Sequence, residues 1–174
     1  MKIYHRYVDL YFTTATILEW KHLLKPDGLK DLVIESLRFL VREQRAVVYA
    51  FVIMPNHIHV VWHIQEPYTI QGVRGALLSF TGHQFKKYLI ENAPKVLGKF
   101  KVDLKDRMYQ FWERNALSIT IHQEEVYLQK VRYVHENPCA AHWKLANSPE
   151  QYKYSSAYPN ETGHCFWDFV AADR

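Results

Sequence analysis

Residues 46–64, from Ala46 to Ile64, read Ala-Val-Val-Tyr-Ala-Phe-Val-Ile-Met-Pro-Asn-His-Ile-His-Val-Val-Trp-His-Ile. The stretch Ala46 to Ile53 is apolar without a break and rich in Val, the pattern of a strand buried on both faces. Pro55 and Asn56 turn the chain. His57 to Ile64 follows as a second strand, antiparallel to the first. Side chains two apart on a strand share a face. His57, His59, Val61 and His63 therefore point one way, and Ile58, Val60, Trp62 and Ile64 the other. The second set is wholly apolar and is the expected core face. The first brings two imidazoles to adjacent positions. They either converge on a divalent ion, with a third ligand from elsewhere, or stand as polar residues on a solvated face. A histidine-triad hydrolase needs imidazoles at i, i+2 and i+4. The third place holds Val61, and His63 falls a step too far.

Working outward, alternation in Tyr7-Val-Asp-Leu-Tyr-Phe-Thr predicts a strand near residues 6–14. Leu29, Leu32, Val33, Leu37 and Leu40 recur at helical spacing, predicting a helix from Asp27 to Glu43. A second helix is expected from Ile70 to Asn92, ended with the help of Pro94. Residues 95–109 read as a basic, irregular connection. A short strand near Ala116 to Ile121 and a helix from Gln123 to Asn137 come next. Ser148 stands where it would cap a short helix with Pro149 in first position. The first six elements follow the βαββαβ order of a ferredoxin-like α+β sandwich, an antiparallel sheet with helices on one face, extended by a further C-terminal helix.

The chain has 174 residues, 48% of them hydrophobic and 15% aromatic. That is ample for a packed core, and one domain over residues 1–174 is expected, with a core over about 5–138 and an extension over 139–174. The start lacks the apolar run of a signal peptide. The longest apolar stretch, Ala46 to Met54, is nine residues, against roughly 20 for a membrane-spanning helix. Cys139 and Cys165 stand apart, without metal-type or disulfide-framework spacing. A soluble cytoplasmic protein with no membrane partner is the expectation. Net charge is +4, which mildly favours a polyanionic partner. Between Lys86 and Arg107 there are seven basic residues and three acids.

Residues 126–138, Val126-Tyr-Leu-Gln-Lys-Val-Arg-Tyr-Val-His-Glu-Asn-Pro138, form the other informative stretch. Tyr127, Val131 and Val134 make its apolar stripe. Tyr133 and Asn137 are four apart, one turn above the other at the stripe's edge. His135 points elsewhere. Pro138 ends the helix at Asn137, where a carboxamide can offer a neutral oxygen ligand. Most of the 12 tyrosines should be packing residues.

Met54-Pro-Asn-His-Ile-His59 after an apolar strand, then Tyr133-Val-His-Glu-Asn-Pro138 on a late helix, resembles the HUH single-tyrosine transposases. The likeness is to the branch of REP-associated tyrosine transposases. Phe111-Trp112 and Tyr154-Ser155-Ser156 add to it, and it spans about residues 5–158. The resemblance implies that His57 and His59 bind a metal, that Tyr133 is the nucleophile and that Asn137 is the third ligand, where related enzymes often carry Gln. Glu136 and His135 are the fallback ligands. It implies a magnesium or manganese ion that polarises the scissile phosphate. Tyr133 would hold a 5′-phosphate as a covalent ester, which a free 3′-hydroxyl can reverse without ATP. The implied partner is single-stranded DNA beside a hairpin, acted on by a monomer or homodimer. Arg45, Lys86, Lys87, Lys99, Lys101 and Arg132 are the candidate phosphate contacts. Two other functions stay open: a binding module that cuts nothing, and a metal-dependent hydrolase of small phosphoesters.

Overall fold

The computed structural model describes residues 8–172. Four strands make the main sheet: β1 (Leu10–Thr16), β2 (Ala46–Ile53), β3 (His57–Ile64) and β6 (Leu117–Thr120). Their order is β2-β3-β1-β6, and every neighbouring pair is antiparallel. The helices are α1 (Asp27–Arg42), α2 (Ile70–Asn92), the single turn α3 (Pro94–Leu97) and α4 (Glu124–Glu136). A two-stranded hairpin, β4 (Lys101–Leu104) and β5 (Arg107–Tyr109), stands apart from the sheet. The architecture is the ferredoxin-like α+β sandwich that the element order predicts.

Three boundaries differ from expectation. Residues 6 and 7 of the predicted first strand lie outside the described residues; Asp9 turns the chain with φ +54°, and β1 runs on to Thr16. The connection over 95–109 is not irregular: it holds α3, a 3₁₀ turn and the hairpin, with Leu97 and Phe100 buried. Ser148 does precede a short 3₁₀ turn, Pro149–Gln151, but its side chain makes no capping bond.

Both faces of the sheet are buried, by different helices. Leu29, Val33, Leu37 and Leu40 of α1, and Val73, Leu77, Phe85 and Leu89 of α2, close over Ile58, Val60, Trp62 and Ile64. Gly28 lets α1 approach α2 closely, since a Cβ there would meet the Tyr88 ring at 2.9 Å. On the opposite face Tyr127 and Val134 of α4 pack against Leu10, Phe12, Ala50, Val52 and Val61. The histidine side of β3 is therefore no solvated face, because α4 covers it. The unbroken apolar run of β2 follows from this double burial, with one irregularity. Val48 pairs with Trp62 but Ala50 with Val61, so a bulge at Tyr49 resets which side chains face which core.

The tail runs back along β2 and caps that sheet edge. Ser155 bridges Val52, Val170 bridges Val48, and the Ser156 hydroxyl accepts from the Phe51 N–H at 3.0 Å. Trp167 and Phe169 lie 6.0 and 5.5 Å from the Phe51 ring and belong to the main core. Covering an edge strand this way removes a template for pairing with other chains.

Candidate active site

His57 opens β3, opposite Thr16, and His59 stands opposite Thr14. Each imidazole is fixed through Nδ1. His57 Nδ1 bonds Asn56 Oδ1 at 2.7 Å, and His59 Nδ1 bonds Thr14 Oγ1 at 2.8 Å. With Nδ1 engaged, each ring presents Nε2. The ring centroids are 4.7 Å apart.

The stripe that packs α4 onto this face sets the register of its neighbours. Tyr133 sits at the helix edge, 49% exposed, its ring 5.2 Å from His59 and 6.0 Å from Phe12. One turn on, Asn137 is buried, 8% exposed. Lys130, one turn before Tyr133, lies over Phe12 with Nζ 4.8 Å from the ring. His135 turns away, as predicted, and its Nε2 meets Ser156 Oγ at 2.8 Å. The cleft so formed, about 1080 Å³, is also lined by Trp20, Asn56, Glu136, Cys139, His142 and Trp143.

Burial is the main influence on the imidazoles. It lowers His57 to about 4, against a contribution from nearby Asn137 that favours the charged ring and with His142 lowering it further. Burial, the neighbouring His57 and the Lys130 ammonium lower His59 to about 3. Both rings are thus neutral at pH 7. His59 Nε2 is buried without a hydrogen-bond partner, while Asn137 Oδ1 makes no standard hydrogen bond but lies near enough to His57 to favour its charged form. Buried polar atoms are nearly always satisfied, so the orphaned His59 Nε2 in this cleft marks a place for an incoming group.

The magnesium or manganese ion expected at His57, His59 and Asn137 is not supported. Among the described residues no group of three or more His, Cys, Asp or Glu is placed to hold a metal ion. The physical reasons are local. Two imidazoles and a neutral amide contain no carboxylate, the donor such hard ions favour. Lys130 adds positive charge beside His59. Of the two fallback ligands, Glu136 lines the cleft as an exposed side chain but completes no group placed to hold an ion, and His135 is committed to Ser156.

None of the six predicted phosphate contacts lines the cleft; its lining cation is Lys130. Arg132 is exposed on α4 next to Tyr133. Lys86 and Lys87 lie on α2, which packs on the other face of the sheet, and Lys86 Nζ sits 5.3 Å from the Tyr109 ring. Lys99 and Lys101 are exposed at the base of the β4–β5 hairpin. Arg45 precedes β2 at the end of the sheet away from His57, with its guanidinium 5.4 Å from Phe39 and 5.3 Å from Tyr68. Lys130 had a readable signal, three residues before Tyr133 and so on the same helix face. Trp20 and Trp143 had none, since tertiary folding alone carries them to the cleft.

Trp20 stands in an unusual turn. Glu19 and Trp20 are both left-handed, with φ +54° and +57°, which costs roughly 1–2 kcal/mol per non-glycine residue. Asn56 Nδ2 donates to the Trp20 carbonyl at 3.3 Å, and the Glu19 N–H to Glu113 Oε1 at 2.7 Å.

Among solved structures, the REP-associated tyrosine transposase bound to a REP hairpin aligns with a TM-score of 0.64 at 16% identity, over 95% of this chain and 86% of that one. The two chains share a fold. A protein of Deinococcus radiodurans R1, described as a candidate transposase, aligns with a TM-score of 0.49 at 18% identity, over 76% of this chain and 92% of that one. No family model and no curated protein matches the chain. At these identities the likeness is one of fold. Among the described residues no helix is long and apolar enough to cross a membrane.

Proposed function

We propose that this chain cleaves and rejoins single-stranded DNA through a covalent tyrosine intermediate, with Tyr133 as nucleophile. One observation carries the reading: a half-exposed phenol stands 5.2 Å from a buried neutral imidazole whose Nε2 has no partner. The Tyr133 oxygen attacks phosphorus in line with the O3′ leaving group. The phenolic proton passes to His59 Nε2, the P–O3′ bond breaks, and the departing oxygen takes a proton from solvent water to become a 3′-hydroxyl. The 5′-phosphate stays on Tyr133 as a diester. Attack by a free 3′-hydroxyl reverses each step and joins a strand without external energy.

The DNA itself supplies the basicity that the imidazoles lack in the DNA-free protein. A phosphodiester anion beside them favours their protonated forms and offsets the Lys130 ammonium, which acts on His59 in the opposite direction. The structurally similar REP-associated transposase is bound to a hairpin, so single strand flanking a hairpin is the substrate assigned here.

The test is a denaturing gel of protein incubated with hairpin-bearing single-stranded DNA. A slower, DNA-containing band that Tyr133→Phe reduces to background supports strand transfer. Hairpin binding without any such band would make this a binding module. Cleavage that survives Tyr133→Phe would make water the nucleophile.

A further inference from the structure

We infer that Trp20 and Trp143 form a stacking platform for an unpaired nucleobase next to the phosphate held at His57. The inference rests on the DNA reading above and names what grips the strand there. Both indoles sit against the His57 imidazole, with ring centroids 6.5 and 5.9 Å away. Trp20 is 63% exposed, so packing does not explain its place. A large aromatic left in water on two successive left-handed residues is a conformation that the surroundings must enforce, and such enforced strain gathers at binding sites.

The enforcing contacts lead to the imidazole. Asn56 donates from Nδ2 to the Trp20 carbonyl and takes the His57 Nδ1–H on Oδ1. One carboxamide thus orients the strained turn and the ring beside it, which fixes the indole relative to the group proposed to meet the phosphate. Trp143 approaches from the segment after α4 and is followed by left-handed Lys144, φ +49°. His22 and His142 stand beside it, with ring centroids at 5.6 and 5.7 Å. Every base has a π face, so such a platform grips unpaired strand with little regard to sequence. A paired base has both faces covered by its neighbours and is excluded.

Fluorescence reads this directly. Of the five tryptophans, Trp62, Trp112 and Trp167 are buried, so quenching by a short single-stranded oligonucleotide should come from Trp20 and Trp143. Trp20→Ala and Trp143→Ala should each weaken binding about tenfold, the scale of one base–aromatic stack. Trp20→Phe should keep most of the affinity while losing its share of quenching, and Phe80→Ala, on exposed α2 surface, should change neither. Because Trp20 lies outside the core, its variants should melt like the wild type. Oligonucleotides with an abasic site scanned along them should show one position that weakens wild-type binding but not that of Trp20→Ala. Wild-type affinity in both alanine variants would overturn the platform and leave the DNA reading standing. No oligonucleotide binding to the wild type would overturn the DNA reading, and the platform with it.

Discussion

His57 and His59 tie the proposed chemistry to stability. Unfolded, each ring titrates near 6.5; folded, they hold off protons until about 4 and 3, chiefly because they are buried. Between those values the unfolded chain binds more protons, so acid favours unfolding. The stability linked to these rings is complete above pH 6.5 and drains away as pH falls through the folded values. His57 alone accounts for roughly 3 kcal/mol over that window. Urea midpoints should therefore drop from pH 7 to pH 5, before most carboxylates titrate. A His57→Gln/His59→Gln double variant should show a flatter profile. An equal drop in the variant would mean that other groups set the acid sensitivity.

At the scale of the element, α4 is a packing helix that also carries the proposed nucleophile. Val134 is fully buried against the sheet, while Leu128 on another side is 57% exposed. Val134→Ala should cost about 2 kcal/mol, from lost methyl groups and the cavity they leave. Leu128→Ala should stay within about 0.5 kcal/mol of wild type. Thermal melts of the two variants check this, and equal losses would contradict the packing. The helix was legible in sequence because Tyr127, Val131 and Val134 recur at its period. Its covering of the histidine face was not, because alternation along β3 shows only which residues share a side. The turn α3 and the hairpin β4–β5 are each too short for any periodicity to register.

Across the whole molecule, the tail closes the sheet edge and completes the core. Trp167 packs on Phe51, and its Nε1–H donates to the Lys153 carbonyl at 2.9 Å. Trp167→Ala should lower unfolding free energy by about 3–5 kcal/mol, measured by urea unfolding; a loss below 1 kcal/mol would mean that the tail docks weakly. The βαββαβ plan was readable from Ala46 to Ile64 and the flanking helices, where burial imposes repeats on the chain. The tail was not, since Trp167, Phe169 and Val170 fill separate gaps in irregular backbone. For the site, spacing on β3 singled out His57 and His59, and the family resemblance added Tyr133 and Asn137; the fold brings all four to one cleft. The basic residues chosen by charge alone lie outside it. A run of Lys and Arg in sequence does not say which face of the sheet its helix will cover.

The central claim is that the Tyr133 oxygen becomes bonded to DNA phosphorus. Protein incubated with hairpin-bearing single-stranded DNA, then digested with nuclease and protease, can be sequenced by tandem mass spectrometry. The account predicts a nucleotide phosphodiester on the α4 peptide, with the added mass localised to Tyr133. The same adduct on another residue, or strand cleavage with no adduct at all, would contradict it.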